Sequence, residues 1–128
     1  MQKTILSLGA SFAALAVILG AFGAHALKEK LAPDQLQVFE TGVRYQIYHA
    51  FAIIIVAMLF DKLNPSMLNY SAYFFVAGII FFSGSLYLLA SKSILGIESW
   101  SFLGPITPLG GLCFIAGWVL LAVSVLKK

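Results

Sequence analysis

The sequence predicts an all-α membrane protein of four transmembrane helices, the second of them long and partly interfacial. Three observations carry that reading. Apolar side chains make up 61% of the 128 residues and charged ones 10%, against roughly 45–50% and about 25% in soluble domains. Mean hydropathy is +0.97, so there is too little polar surface to cover a globule in water, and the solvent has to be lipid. Most charges fall between apolar runs, and the breaks carry Pro33, Pro65 and Pro108. A chain of this length is expected to form one domain. The basic balance, pI ≈ 9.1, does not indicate nucleic acid, because the cations are dispersed and adjoin only at Lys127-Lys128. They suit the two membrane surfaces instead. The lone Cys113 lies inside an apolar run, can form no intramolecular disulfide and is expected to be a buried structural residue.

The first apolar run, Ile5 to Ala24, is interrupted only by Ser7 and Ser11. As a helix its length is roughly 30 Å, one bilayer core. Lys3 and Ala24-His25-Ala26 mimic a cleavable secretory signal. The run is longer than the ~7–15 residues of a signal core, so a retained span is expected. Ala16, Gly20 and Ala24 form a small-residue stripe suited to close helix packing. Lys28, Glu29 and Lys30 then return the chain to water. Pro33 suits the first turn of a helix, and Asp34 complements its dipole. Leu36, Phe39, Val43 and Ile47 make an amphipathic stripe leading into the apolar block Ala50–Phe60. One long helix, Pro33 to Phe60, follows. Its strictly apolar part is too short to cross alone, so Arg44 to His49 must lie at headgroup depth or face the bundle.

Asn64 caps and Pro65 opens the next helix, whose uncharged span runs from Tyr70 to Ala90 with Ser83-Gly84-Ser85 as small, weakly polar packing contacts. Ser91 to Thr107 reads as a loop holding Lys92, Glu98 and the interfacial Trp100. Gly104 to Pro108 is expected to break any helix, with Thr107 capping a fourth span that starts at Pro108 and ends near Leu126.

Four spans place both termini on one side. That side carries Lys3, Lys62, Lys127 and Lys128, and the other Lys28, Lys30, Arg44 and Lys92. Four of the five acidic residues, Glu29, Asp34, Glu40 and Glu98, fall on the second side, which favours cytoplasmic termini. The same topology puts His25, Arg44, Tyr45, Tyr48, His49 and the Gly104–Gly111 segment at one membrane surface. On a helix, Arg44, Tyr45, Tyr48 and His49 occupy an arc of roughly 140°. They are the candidate ligand- or lipid-binding residues, together with His25. Each also has a plainer role. Arg44 snorkels, pairs with Glu40 or holds a lipid phosphate, and the tyrosines anchor the interface. His25 and His49 could jointly ligate metal or haem, but two imidazoles without a third ligand make a weak site, and interhelical hydrogen bonding is the stronger expectation. No carboxylate lies within a confident span, and no Ser/His/Asp set, CxxC or phosphate-binding glycine loop is present.

Four motifs occur in order: Gly20-Ala21-Phe22-Gly23-Ala24-His25-Ala26-Leu27, Thr41-Gly42-Val43-Arg44-Tyr45-Gln46-Ile47-Tyr48-His49-Ala50, Phe82-Ser83-Gly84-Ser85-Leu86-Tyr87 and Gly104-Pro105-Ile106-Thr107-Pro108-Leu109-Gly110-Gly111. Together they resemble the small four-span membrane proteins grouped as domain of unknown function 423, found in bacteria with animal relatives. The resemblance covers nearly the whole chain and implies an integral inner-membrane protein of about this length, without supplying an activity. The expected function is therefore a non-enzymatic packing, assembly or lipid-interacting component of the inner membrane. It would need no cofactor, and its partners would be the bilayer and other membrane proteins or further copies of itself. The alternatives are small-ligand, metal or haem binding at His25/His49, and an oligomeric small-solute transporter.

Overall fold

The computed structural model describes residues 1–127; Lys128, expected at the membrane surface beside Lys127, lies outside them. Four long helices account for most of the chain: α1, Gln2–Leu27; α2, Pro33–Leu59; α3, Pro65–Ala90; and α4, Leu103–Leu126. Each is long and apolar enough to cross a bilayer, and no strand occurs among the described residues. Two of the helices widen locally into π turns, α1 at Gly23–Leu27 and α3 at Ile79–Ser83. A single helical turn, Lys92–Leu95, sits in the last connection and ends at Gly96, whose φ of 68° is left-handed and natural only to glycine.

Local chemistry sets two of the starts as expected. Ala32 is extended, Pro33 occupies the first helical position of α2 and Asp34 lies in its first turn. Asn64 Oδ1 accepts the Met67 N–H at 3.1 Å, capping α3 just before Pro65. The fourth helix departs from expectation. It begins at Leu103, five residues before Pro108, so Gly104–Pro108 is helical and Thr107 is no cap. Pro105 falls in the first turn, where N–H groups have no intrahelical acceptor to lose. Pro108 forfeits only a bond to the exposed Gly104 carbonyl. Thr107 turns inward, its hydroxyl 2.6 Å from that of Ser85 on α3.

Successive helices pack antiparallel, with α2 and α3 in the middle and α1 and α4 outside. Gln2 Nε2 donates to the Ala57 carbonyl at 2.8 Å and Asn64 Nδ2 to the Lys127 carbonyl at 3.5 Å, which gathers both ends of the chain and the α2–α3 turn at one end of the bundle. One apolar core, including Ile5, Ile53, Leu68, Phe75 and Phe114, fills that half. A smaller cluster of Leu27, Leu31, Phe39 and Ala90 closes the other.

The contact face of α1 differs from the expected stripe. Gly9, Ala16 and Gly23 are buried, Gly20 lies at the edge against Val43, and Ala24 is exposed. A four-residue repeat drifts by roughly 40° per step, whereas a seven-residue repeat drifts by about 20° and stays facing one neighbour. The α3–α4 seam is tighter still. A Cβ on Gly110 would collide with the backbone of Phe82, and one on Gly117 would lie 2.6 Å from the Phe75 ring. Cys113 is only partly buried, at the edge of this seam rather than within it.

Candidate functional site

The inner face of α2 carries Phe39, Gly42, Gln46, His49, Ile53 and Val56, spaced as one side of a helix. Two of these are polar, and both are nearly inaccessible: Gln46 is 1% exposed and His49 5%. In hydrocarbon such groups have to find partners within the bundle.

His49 is held on every side. Its Nδ1 lies 2.7 Å from the Tyr45 carbonyl, and the Trp118 indole N–H on α4 donates to its Nε2 at 3.1 Å. A carbonyl can only accept and an indole N–H can only donate, so the two bonds assign the neutral Nδ1–H tautomer. The ring stacks on Phe114 with centroids 3.6 Å apart and 9° between planes, and Phe75 and Trp118 close its edges.

One turn back, Gln46 joins three helices. Its Nε2 donates to the Phe12 carbonyl of α1 at 2.9 Å, and its Oε1 accepts the Tyr87 hydroxyl of α3 at 2.6 Å. Tyr87 can approach because Gly42 is bare there; a Cβ at that position would be 2.7 Å from the ring. Serines complete the pattern. Ser83, in the π turn of α3, donates to the Gly42 carbonyl, and Ser71 to the Gly117 carbonyl, each at 2.7 Å. The widened turn is what brings Ser83 onto the α2 side while Phe82 stays against α4.

The candidate residues are thereby separated. His49 is level with Gly9–Phe12 of α1, Phe75 of α3 and Phe114–Trp118 of α4. Those positions lie near the middle of their helices, so His49 sits near the bilayer mid-plane and not at a membrane surface. His25 is exposed in the final turn of α1, about 20 Å further along the bundle axis at 1.5 Å per residue. The two histidines are not brought together, and both nitrogens of His49 are already engaged. The antiparallel register that buries Gly9 against α2 draws His49 inward, away from His25. Among the described residues, no group of three His, Cys, Asp or Glu side chains is placed to hold a metal ion.

Arg44, Tyr45 and Tyr48 do stay together, on the outside. Arg44 and Tyr48 continue into Phe51, Ile55 and Met58 as the exposed, lipid-facing stripe of α2. Tyr45 turns toward α3 and α4, with its ring 4.8 Å from Phe82 and near-parallel to Phe114 at 6.3 Å and to His49 at 6.1 Å. It forms one wall of a lateral groove of about 500 Å³ whose opposite wall is Pro108, Gly111, Leu112 and Ile115. Phe82, Phe114 and His49 make the floor. A second groove, about 420 Å³, opens between α1 and α3 over Gln46 and Tyr87. Both volumes fall in the range of small-molecule sites, yet both are open on the lipid side and almost wholly apolar in lining.

Comparison with known sequences places the molecule. Residues 19–111 match the family described as "Protein of unknown function (DUF423)". This chain belongs to the DUF423 family. It is 46% identical to the UPF0382 membrane protein YwdK of Bacillus subtilis strain 168, covering 98% of both chains. It is 41% identical to the UPF0382 membrane protein SH2409 of Staphylococcus haemolyticus, again over 98% of each. Against the UPF0382 inner membrane protein YgdD of Escherichia coli K12 the identity is 36%, over 87% of this chain and 80% of the relative. No solved structure matches. The DUF423 match contains Arg44, Tyr45, Gln46, His49 and Tyr87 but ends before Phe114 and Trp118, the α4 partners of the buried imidazole.

Gln46, Tyr87, Trp118 and the donor serines were not among the residues expected at the site. Their signal was there: a primary amide inside an apolar helix needs a partner, and Gly110, Gly117 and Ser124 recur at sevens on one face of α4.

Proposed function

We propose that this DUF423 chain is a non-catalytic component of the inner membrane, with both termini in the cytoplasm, that acts by lateral association. Its groove beside Tyr45 would hold something resident in the bilayer. One observation supports this reading above the others: the buried polar side chains Gln46, His49, Ser71, Ser83, Ser85 and Ser124 all bond to other groups of the bundle. Gln46, His49, Ser71, Ser83 and Ser85 each bond to a neighbouring helix and Ser124 bonds within its own, and the remaining concavities face lipid with apolar walls. Each of these side chains is already committed to a partner within the bundle, which leaves little to bind a polar substrate on its way across. The transporter reading finds no comparable support.

The test is a photoreactive amino acid placed at Leu112, in the groove wall, and separately at Val17, on the exposed side of α1, in native membranes. Lateral association at the groove gives an adduct of discrete mass from position 112 and only diffuse lipid labelling from position 17. Indistinguishable diffuse labelling from both sites would remove the proposal.

A further inference from the structure

Arg44 is the deepest cation among the described residues. Counted from the membrane-surface ends of the neighbouring helices, it lies level with Phe82 and Gly110, eight residues from Ala90 and seven from Leu103. At 1.5 Å per residue that is about 10 Å below the helix ends. A guanidinium at that depth on a lipid-facing stripe reaches up to the headgroups along its own aliphatic stem. Glu40, also exposed, stands one turn closer to the surface.

The groove starts at the same level. Tyr45, the residue after Arg44, and Pro108 bound its outer end, and His49 and Ile115 its inner end. The eight residues of α4 from Pro108 to Ile115 span about 10 Å, most of one leaflet of a ~30 Å hydrocarbon core. An apolar channel running inward from a headgroup-level arginine has the shape and charge order of one amphiphile. We propose that this groove seats a single anionic phospholipid, with its phosphate on the Arg44 guanidinium and one acyl chain lying between Tyr45 and Leu112 over Phe82 and Phe114. The fork of guanidinium donors matches a phosphate oxygen pair, and the walls offer the chain only apolar contact. This inference rests on the lateral-association reading and names its occupant.

Gly111 makes the groove separately testable. A Cβ there meets nothing nearer than Phe82 Cδ2 at 4.0 Å, so Gly111→Leu fills the channel without disturbing the helix seam. The experiment is native mass spectrometry of the full chain purified from detergent containing equal phosphatidylglycerol and phosphatidylcholine, with circular dichroism confirming helicity of each variant. The wild type should retain one phosphatidylglycerol in preference to phosphatidylcholine. Arg44→Gln should lower that preference about five- to tenfold, Glu40→Gln should raise it, and Gly111→Leu should reduce retention of both lipids. Inorganic phosphate added in excess should not displace the bound lipid. Retained preference in Arg44→Gln, undiminished lipid in Gly111→Leu, or a wild type that carries no lipid would overturn the assignment. A discrete protein adduct from position 112 together with an empty wild type would sink the lipid and leave lateral association standing.

Discussion

Gln46→Leu measures how much the polar centre of the bundle contributes. Leucine has nearly the volume of glutamine, so the change isolates hydrogen bonding from packing. The wild-type side chain makes two interhelical bonds, to the Phe12 carbonyl and from the Tyr87 hydroxyl. Such bonds average about 0.6 kcal/mol each in membrane bundles, giving about 1.2 kcal/mol for the pair. The substitution also takes the Gln46 acceptor from the partly buried Tyr87 hydroxyl, at about 1 kcal/mol, so the total should be about 2 kcal/mol. Tyr87→Phe loses one bond and strands Gln46 Oε1, for about 1.5 kcal/mol by the same terms. In the double variant both bonds are gone but neither group is left without a partner, and the cost returns to about 1.2 kcal/mol. The Phe12 carbonyl loses only its second bond, because it stays within the α1 helix. The singles should therefore overshoot the double by about 2 kcal/mol, well beyond the ~0.3–0.5 kcal/mol scatter of independent sites. Reversible unfolding in mixed micelles, followed by circular dichroism, gives all four corners of the cycle. Additive singles would show that Gln46 and Tyr87 are not coupled and that the α1–α2–α3 junction is held by packing alone.

Four further outcomes test the rest of the structure. Gly110→Ala should destabilise the bundle by about 1–3 kcal/mol, because its Cβ has only the Phe82 backbone to displace. Gly84→Ala, with nothing within 4 Å, should be neutral or slightly stabilising in the same unfolding assay. His49→Ala should cost about 2–4 kcal/mol by opening a cavity against Phe114 and freeing the Trp118 N–H, whereas His25→Ala at its exposed position should stay within about 0.5 kcal/mol. In a Cys113→Ala background, cysteines replacing Lys28 and Glu98 should react with an impermeant maleimide from one side of intact cells, and a cysteine replacing Lys62 from the other. Labelling of positions 28 and 98 from opposite sides would refute the four-span topology.

Chain order alone determined the number of long helices and where the two middle ones start. Bilayer thickness sets a length that the run from Ile5 to Ala24 either meets or misses, and Pro33, Asn64 and Pro65 act within one turn of where they stand. These are local effects, so neighbours in sequence suffice to read them. The start of α4 is the instructive exception, since a proline in a first turn removes no intrahelical bond and Pro105 does not break the helix it lies in.

What only the tertiary structure decided is which side of each helix faces inward and how far the helices slide past one another. In water, polarity marks the outer face of a helix. In lipid, both faces are apolar, and the inner one is distinguished by close fit and by polar groups that need partners. Whether Gly9 or Ala24 is buried, and whether His49 lies at a surface or at the mid-plane, therefore depends on how Gly110 meets Phe82 and Gly42 meets Tyr87. Those contacts join residues dozens of positions apart, and they turned the expected surface cluster of Arg44, Tyr45, Tyr48, His49 and His25 into a buried imidazole, a distant exposed one and a lipid-facing groove.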